Sequence, residues 1–234
     1  MEKENNKNSF KKFIGELNGS RAEGEIIKTF LISLITSLAL IGILYFLRFQ
    51  YTDGFLDKYG FFLFFSALSY ALIMPAVSQV RTYKTFSCMS GMMVGMTIGM
   101  IAGFLPGFFI GATNGMFYGS ILGMGIGIFF GAMNGKCCGI MGIMEGIMAG
   151  FMGGLMGAMT SVMMINDNLK LAGIFVFGIS AVIISGLNYM IYKEMEERDR
   201  EIDEDLLFVG AMSFILMIIT VWLMVYGPRS LLFQ

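Results

Sequence analysis

Three thiols, a run of thioethers and one carboxylate are the groups in this chain that could do chemistry. Cys88 is followed by Met89, Met92, Met93, Met96 and Met100, and the pair Cys137 and Cys138 by Met141, Met144, Glu145, Met148, Met152, Met156, Met159 and Met163. The chain has no histidine, and 16 of its 23 methionines lie between Met89 and Met164. Soft sulfur donors without imidazole or grouped carboxylates select Cu(I) among the common biological metals. Zinc would want His or four Cys, and magnesium or calcium would want oxygens. The candidate ligands are therefore Cys88, Met89, Met92, Met96, Met100, Cys137, Cys138, Met141, Met144, Glu145, Met148, Met152 and Met156, with Cu(I) as the ion. A ladder of weak thioether sites suits transport or delivery, because an ion must bind and also leave. No residue stands out as catalytic, and no enzymatic role is expected.

Helical spacing organises these residues. On a wheel, the methionines from Met141 to Met163 and Glu145 share an arc of about 120°, while the glycines at 139, 142, 146, 150, 153, 154 and 157 occupy the opposite side. Cys137 to Met163 is 26 residues, ~39 Å of helix, enough to cross a bilayer. Methionine is also a flexible apolar filler, so the rival reading is a structural or channel-like protein whose Met/Gly-rich core is only packing, with no metal. Glu145 lies ~12 Å inside its segment. An acid facing lipid costs several kcal/mol if charged, so it is expected to face the bundle interior. There it would hydrogen-bond a neighbour such as Asn134, Ser or Thr, or serve as counter-charge to a monovalent cation or as a proton carrier coupled to its passage.

The elements that must position these groups are membrane helices. The 234 residues are 56% hydrophobic and 14% charged with mean hydropathy +0.73, and apolar runs near twenty residues recur along the chain. Seven such runs are predicted, at about 27 to 48, 59 to 80, 88 to 112, 115 to 134, 137 to 164, 169 to 192 and 206 to 227. The fold class is thus an all-α polytopic membrane protein with one transmembrane domain over 27 to 228. A cytoplasmic segment at 1 to 26 precedes it and a tail at 229 to 234 follows. The start has no signal-peptide pattern, and Phe10, Phe13, Ile14 and Leu17 beside Lys11 and Lys12 suggest a short interfacial helix. Twelve of the sixteen basic residues fall on one side when the N-terminus is placed inside, which predicts a multi-pass protein of the cell membrane with its C-terminus outside. The Cys count of three, two of them adjacent, favours free thiols over disulfides. A primary pump is disfavoured by the lack of an aqueous ATP-binding segment, and nothing in the charge pattern suggests nucleic acid.

Thirteen glycines follow one another at strict intervals of four from Gly91 to Gly139, and glycine continues at 142, 146, 150, 154 and 157. Small residues at every fourth position let helix backbones approach closely in lipid. Segments three to five should form a glycine-zipper core, with the other four as an outer layer. Pro106 and the short, glycine-dense fourth run leave open whether helices three and four are broken. Leu at Gly146 or Gly150 is expected to be disruptive, and Leu at Gly227, outside the repeat, to matter less.

The stretches "CMSGMMVGMTIGM" at 88 to 100 and "MEGIMAGFMGGLMGAM" at 144 to 159 resemble a group of Met- and Gly-rich bacterial membrane proteins, some of them joined to cupredoxin-like copper-binding domains. The likeness covers about residues 85 to 164 and implies copper association. This chain has no cupredoxin segment of its own, so the resemblance implies partners: a copper chaperone or a cupredoxin-like protein. A second copy of the chain is a further candidate partner beside the lipid bilayer.

Overall fold

The structure, a computed structural model, describes residues 22–47, 55–82, 88–136, 139–195 and 206–227. The expected interfacial helix at residues 10 to 17 lies outside them, as do Cys137 and Cys138. Among the described residues there are seven helices: α1 (Ala22–Leu47), α2 (Phe55–Thr82), α3 (Cys88–Asn114), α4 (Met116–Gly135), α5 (Gly139–Met163), α6 (Leu169–Met195) and α7 (Leu206–Tyr226). Six are long and apolar enough to cross a membrane, and α1 adds a shorter apolar stretch, Ile27–Ile43. Each predicted run became a helix. The third and fourth are continuous, Pro106 lying inside α3 and Pro75 inside α2.

The turns sit where chain chemistry demands them. Gly115, between α3 and α4, has φ 92°, and Gly139, opening α5, has φ 69°. A side chain at either position would be strained, and glycine is not. Between α5 and α6 the "INDN" segment turns back on itself, the Asp167 amide donating to the Met164 carbonyl at 3.1 Å.

Helices α3, α4 and α5 form one unit, and the reason is the absence of side chains between them. The buried face of α5 consists of Gly142, Gly146, Ala149, Gly150, Gly153, Gly154, Gly157, Ala158 and Ser161, so nothing larger than a hydroxymethyl group separates it from its neighbours. A Cβ built on Gly103 would stand 2.8 Å from the Gly150 carbonyl oxygen and 2.9 Å from the Gly154 nitrogen. One built on Gly99 would stand 2.9 Å from both the Gly131 Cα and the Gly146 oxygen. Gly146 meets Gly131, and Gly150 meets Gly127, backbone to backbone. The hydrogen that glycine carries in place of Cβ thus points at a neighbouring carbonyl, a weak contact worth ~0.5–1 kcal/mol each. Lipid offers no hydrophobic drive for helix association, so such packing must supply it.

The remaining helices do not wrap this trio as expected. They gather on the far side of α3, which packs against α2, α6 and α7, while α5 packs substantially only against α3 and α4. Rings of α2, α3 and α6 meet there, Phe65 lying 6.0 Å from Phe109 and 5.7 Å from Phe177. Polar ties fix both ends of the bundle. Ser90 Oγ donates to Glu194 Oε1 at 2.7 Å, and Asn114 Nδ2 donates to the Leu223 carbonyl at 2.8 Å. Helix α1 joins α7 through the hydroxyls of Thr36 and Ser213, 3.0 Å apart. The layer is one-sided in that α5 buries only Gly, Ala and Ser, against α3 and α4, and turns its bulky side chains away from every other helix.

Candidate functional site

The methionines expected to line the interior lie on the outside. Met89, Met93, Met96 and Met100 of α3 and Met141, Met144, Met148, Met152, Met156, Met159 and Met163 of α5 are between 41% and 80% exposed. Met92 is intermediate. The wheel separated the two faces of α5 but not which of them is internal. The glycine face is, because only it permits the backbone contact that holds the trio together. A methionine-lined channel within a single chain is therefore not formed.

The exposed methionines nonetheless form one surface. Gly153 abuts the backbone of Met100 and Gly157 that of Phe104, so α3 and α5 run side by side with their exposed edges adjoining. Gly146 faces Gly99 and Gly150 faces Gly103 in the same seam, which puts Glu145 at the depth of Met93 and Met96. Glu145 is partly exposed, and no group among the described residues hydrogen-bonds its carboxyl. Asn134 is not its partner: it is 1% exposed, and its Nδ2 donates to the Phe130 carbonyl at 2.8 Å. The expectation that Glu145 faces the interior fails for the same reason as for the methionines, since it shares their side of α5.

Cys88 opens α3, at the same end of the bundle as Gly139 opens α5. Cys137 and Cys138 fall between α4 and α5, outside the described residues. Among the described residues no group of three or more His, Cys, Asp or Glu could hold a metal ion. Thioethers and the one carboxylate are what this surface offers, a donor set that fits a soft monovalent ion and no hard one.

One feature separates this surface from the exteriors of α1, α6 and α7. On α1, α6 and α7 the large exposed apolar side chains are Ile, Leu, Val, Phe, Trp and Tyr, such as Leu31, Ile35, Ile174, Ile179, Val182, Ile218 and Trp222, with no methionine among the described residues. On α3 and α5 they are all methionine except Ile140 and Phe151. Exposure is alike and composition is not. Sequence reasoning also passed over Gln79, fully buried in α2 with neither amide atom hydrogen-bonded among the described residues, and Asn188 in α6, whose Oδ1 has no hydrogen-bond partner among them. The only signal for them was a polar residue inside an apolar run.

Fold and surface together define an all-α, multi-pass integral membrane protein with a glycine-packed trio of helices that carries a methionine face. No protein family, curated protein or solved structure matches the chain.

Proposed function

We propose that this protein handles Cu(I) in the cell membrane, binding it along the methionine face of α3 and α5 for transport or delivery. The observation that carries the reading is the segregation of methionine. Outward positions on α1, α6 and α7 use branched aliphatic and aromatic side chains, whereas α3 and α5 use thioethers at equal exposure. Lipid contact alone does not require that difference, and a soft ion does. Cys88, Cys137 and Cys138 would receive the ion at the cytoplasmic end, and Glu145 would offset its charge. The likeness to Met- and Gly-rich proteins joined to cupredoxin-like domains supports the same ion, with a copper chaperone or cupredoxin-like protein as donor or acceptor. A second reading, in which methionine merely clothes a packed trio, is favoured by the high exposure of the stripe and by the softness of methionine as a filler.

Purified protein held under reducing conditions should retain Ag(I) or Cu(I) through gel filtration and lose Zn(II), Mg(II) and Ca(II). Loss of all five alike would favour the second reading. The orientation is tested separately. With the N-terminus inside, an impermeant maleimide should label Cys137 and Cys138 only after the inner face is opened, and labelling on intact cells would reverse the topology.

A further inference from the structure

We infer that the methionine face of α3 and α5 is where two copies of this chain meet, packed in parallel about a two-fold axis normal to the membrane, with their two Glu145 carboxyls at the interface. Three observations point there. The first is polarity. Glu145 is partly exposed in a span, ~9 Å from the start of α5, with no hydrogen-bond partner among the described residues. Such a group is costly against lipid and calls for protein cover.

The second is what cover would suffice. Glu145 lies on the α3 side of the exposed arc of α5, near the middle of the two-helix face. A two-fold axis through that face brings it to its own counterpart. Two carboxyls that face each other at one depth give each other polar cover that lipid does not. A second copy therefore supplies the missing partner without any new residue, whereas a foreign protein would need a polar group of its own at that depth. Parallel packing follows because every copy is inserted the same way round.

The third is extent. The exposed strip of α5 runs 25 residues, ~37 Å, and that of α3 from Met89 to Met100 about half as far, at helix spacings of ~8–10 Å. That is roughly 430–550 Å² per copy, or about 860–1,100 Å² in all, close to the ~1,000 Å² at which a specific interface begins. Unbranched methionines interdigitate with one another readily, and the contrast with the Ile- and Phe-covered faces of α6 and α7 says which side of the molecule meets its copy.

The test is cross-linking in native membranes with chelator present, so that its failure and the failure of metal binding are separate results. In a chain with Cys88, Cys137 and Cys138 changed to Ser, Met148→Cys and Met152→Cys are each treated with a short membrane-permeant bifunctional thiol reagent. Ile179→Cys and Val182→Cys on α6, equally exposed, are the controls. Folding of each variant is checked by monodisperse elution. A band of twice the chain mass, at least tenfold stronger from the α5 positions than from α6, is expected. Monomer alone from folded Met148→Cys and Met152→Cys would overturn the inference. So would equal dimer from all four positions, or a cross-linked band of another mass, which would assign the face to a foreign partner.

Discussion

Gly150→Leu should abolish a stably folded protein, and Gly146→Leu should do the same. Overpacking a core usually costs about 1–3 kcal/mol because neighbouring side chains can shift. Here no side chain is available to shift. A Cβ on Gly150 runs into the Gly127 backbone, and one on Gly146 into that of Gly131. The helices would have to separate along the seam, so the loss should exceed ~3 kcal/mol and be read as an absent or much lowered melting transition in detergent. Gly103→Ala is the graded probe. Its Cβ meets the Gly150 oxygen at 2.8 Å, which a small displacement of α3 could relieve, and a cost of roughly 2 kcal/mol is expected. The controls must be chosen from the structure. Gly227 lies outside the repeat, yet its Cβ would stand 2.6 Å from Asn114 Nδ2 and against the Leu223 carbonyl, so it is not the tolerant site the sequence suggested. Gly125 and Gly178 have nothing within 4 Å, and Leu there should be harmless or should stabilise by up to ~1 kcal/mol through helix propensity. Equal melting of Gly150→Leu and Gly178→Leu would show that the repeat is compositional and not structural.

That contrast also shows how far the sequence could be read. Helix number and boundaries were legible because the apolar runs are long and end in Asn-Gly or charged breaks, as at Asn114 and Asn134. The union of α3, α4 and α5 was legible because glycine at every fourth position has one use in lipid. Which face of α5 is internal was not. A wheel gives the angle between the methionines and the glycines and no sign for inside, and the habit of placing polar and ligating residues inward came from bundles whose cores hold side chains. In this trio the interior is backbone, so Met148, Met152 and even Glu145 are displaced outward. The one-sided placement of α1, α2, α6 and α7 was illegible for a related reason: it follows from pairings such as Ser90 with Glu194 and Phe65 with Phe109, which join residues far apart in the chain without any periodic signal.

An outward methionine face changes what a substitution can report. Buried methionines would confound loss of metal with loss of packing, but Met148 and Met152 are 69% and 56% exposed, so replacing them leaves the trio untouched. Met148→Leu and Met152→Leu conserve volume, and such swaps usually cost under ~1.5 kcal/mol even in a core. At an exposed site in lipid the cost should be close to nothing. Leucine has no donor, so if the thioethers hold the ion, the double variant should bind Ag(I) at least tenfold more weakly, equivalent to ~1.4 kcal/mol, with an unchanged melting temperature. Ile179→Met, which adds a thioether to α6 at similar exposure, should add no binding, because a single thioether without neighbours is a poor ligand. Isothermal titration with Ag(I) alongside thermal melting separates the readings. Unchanged affinity in the double leucine variant would leave the methionines as clothing for a glycine-packed core, and lowered affinity together with a lowered melting temperature would return them to packing.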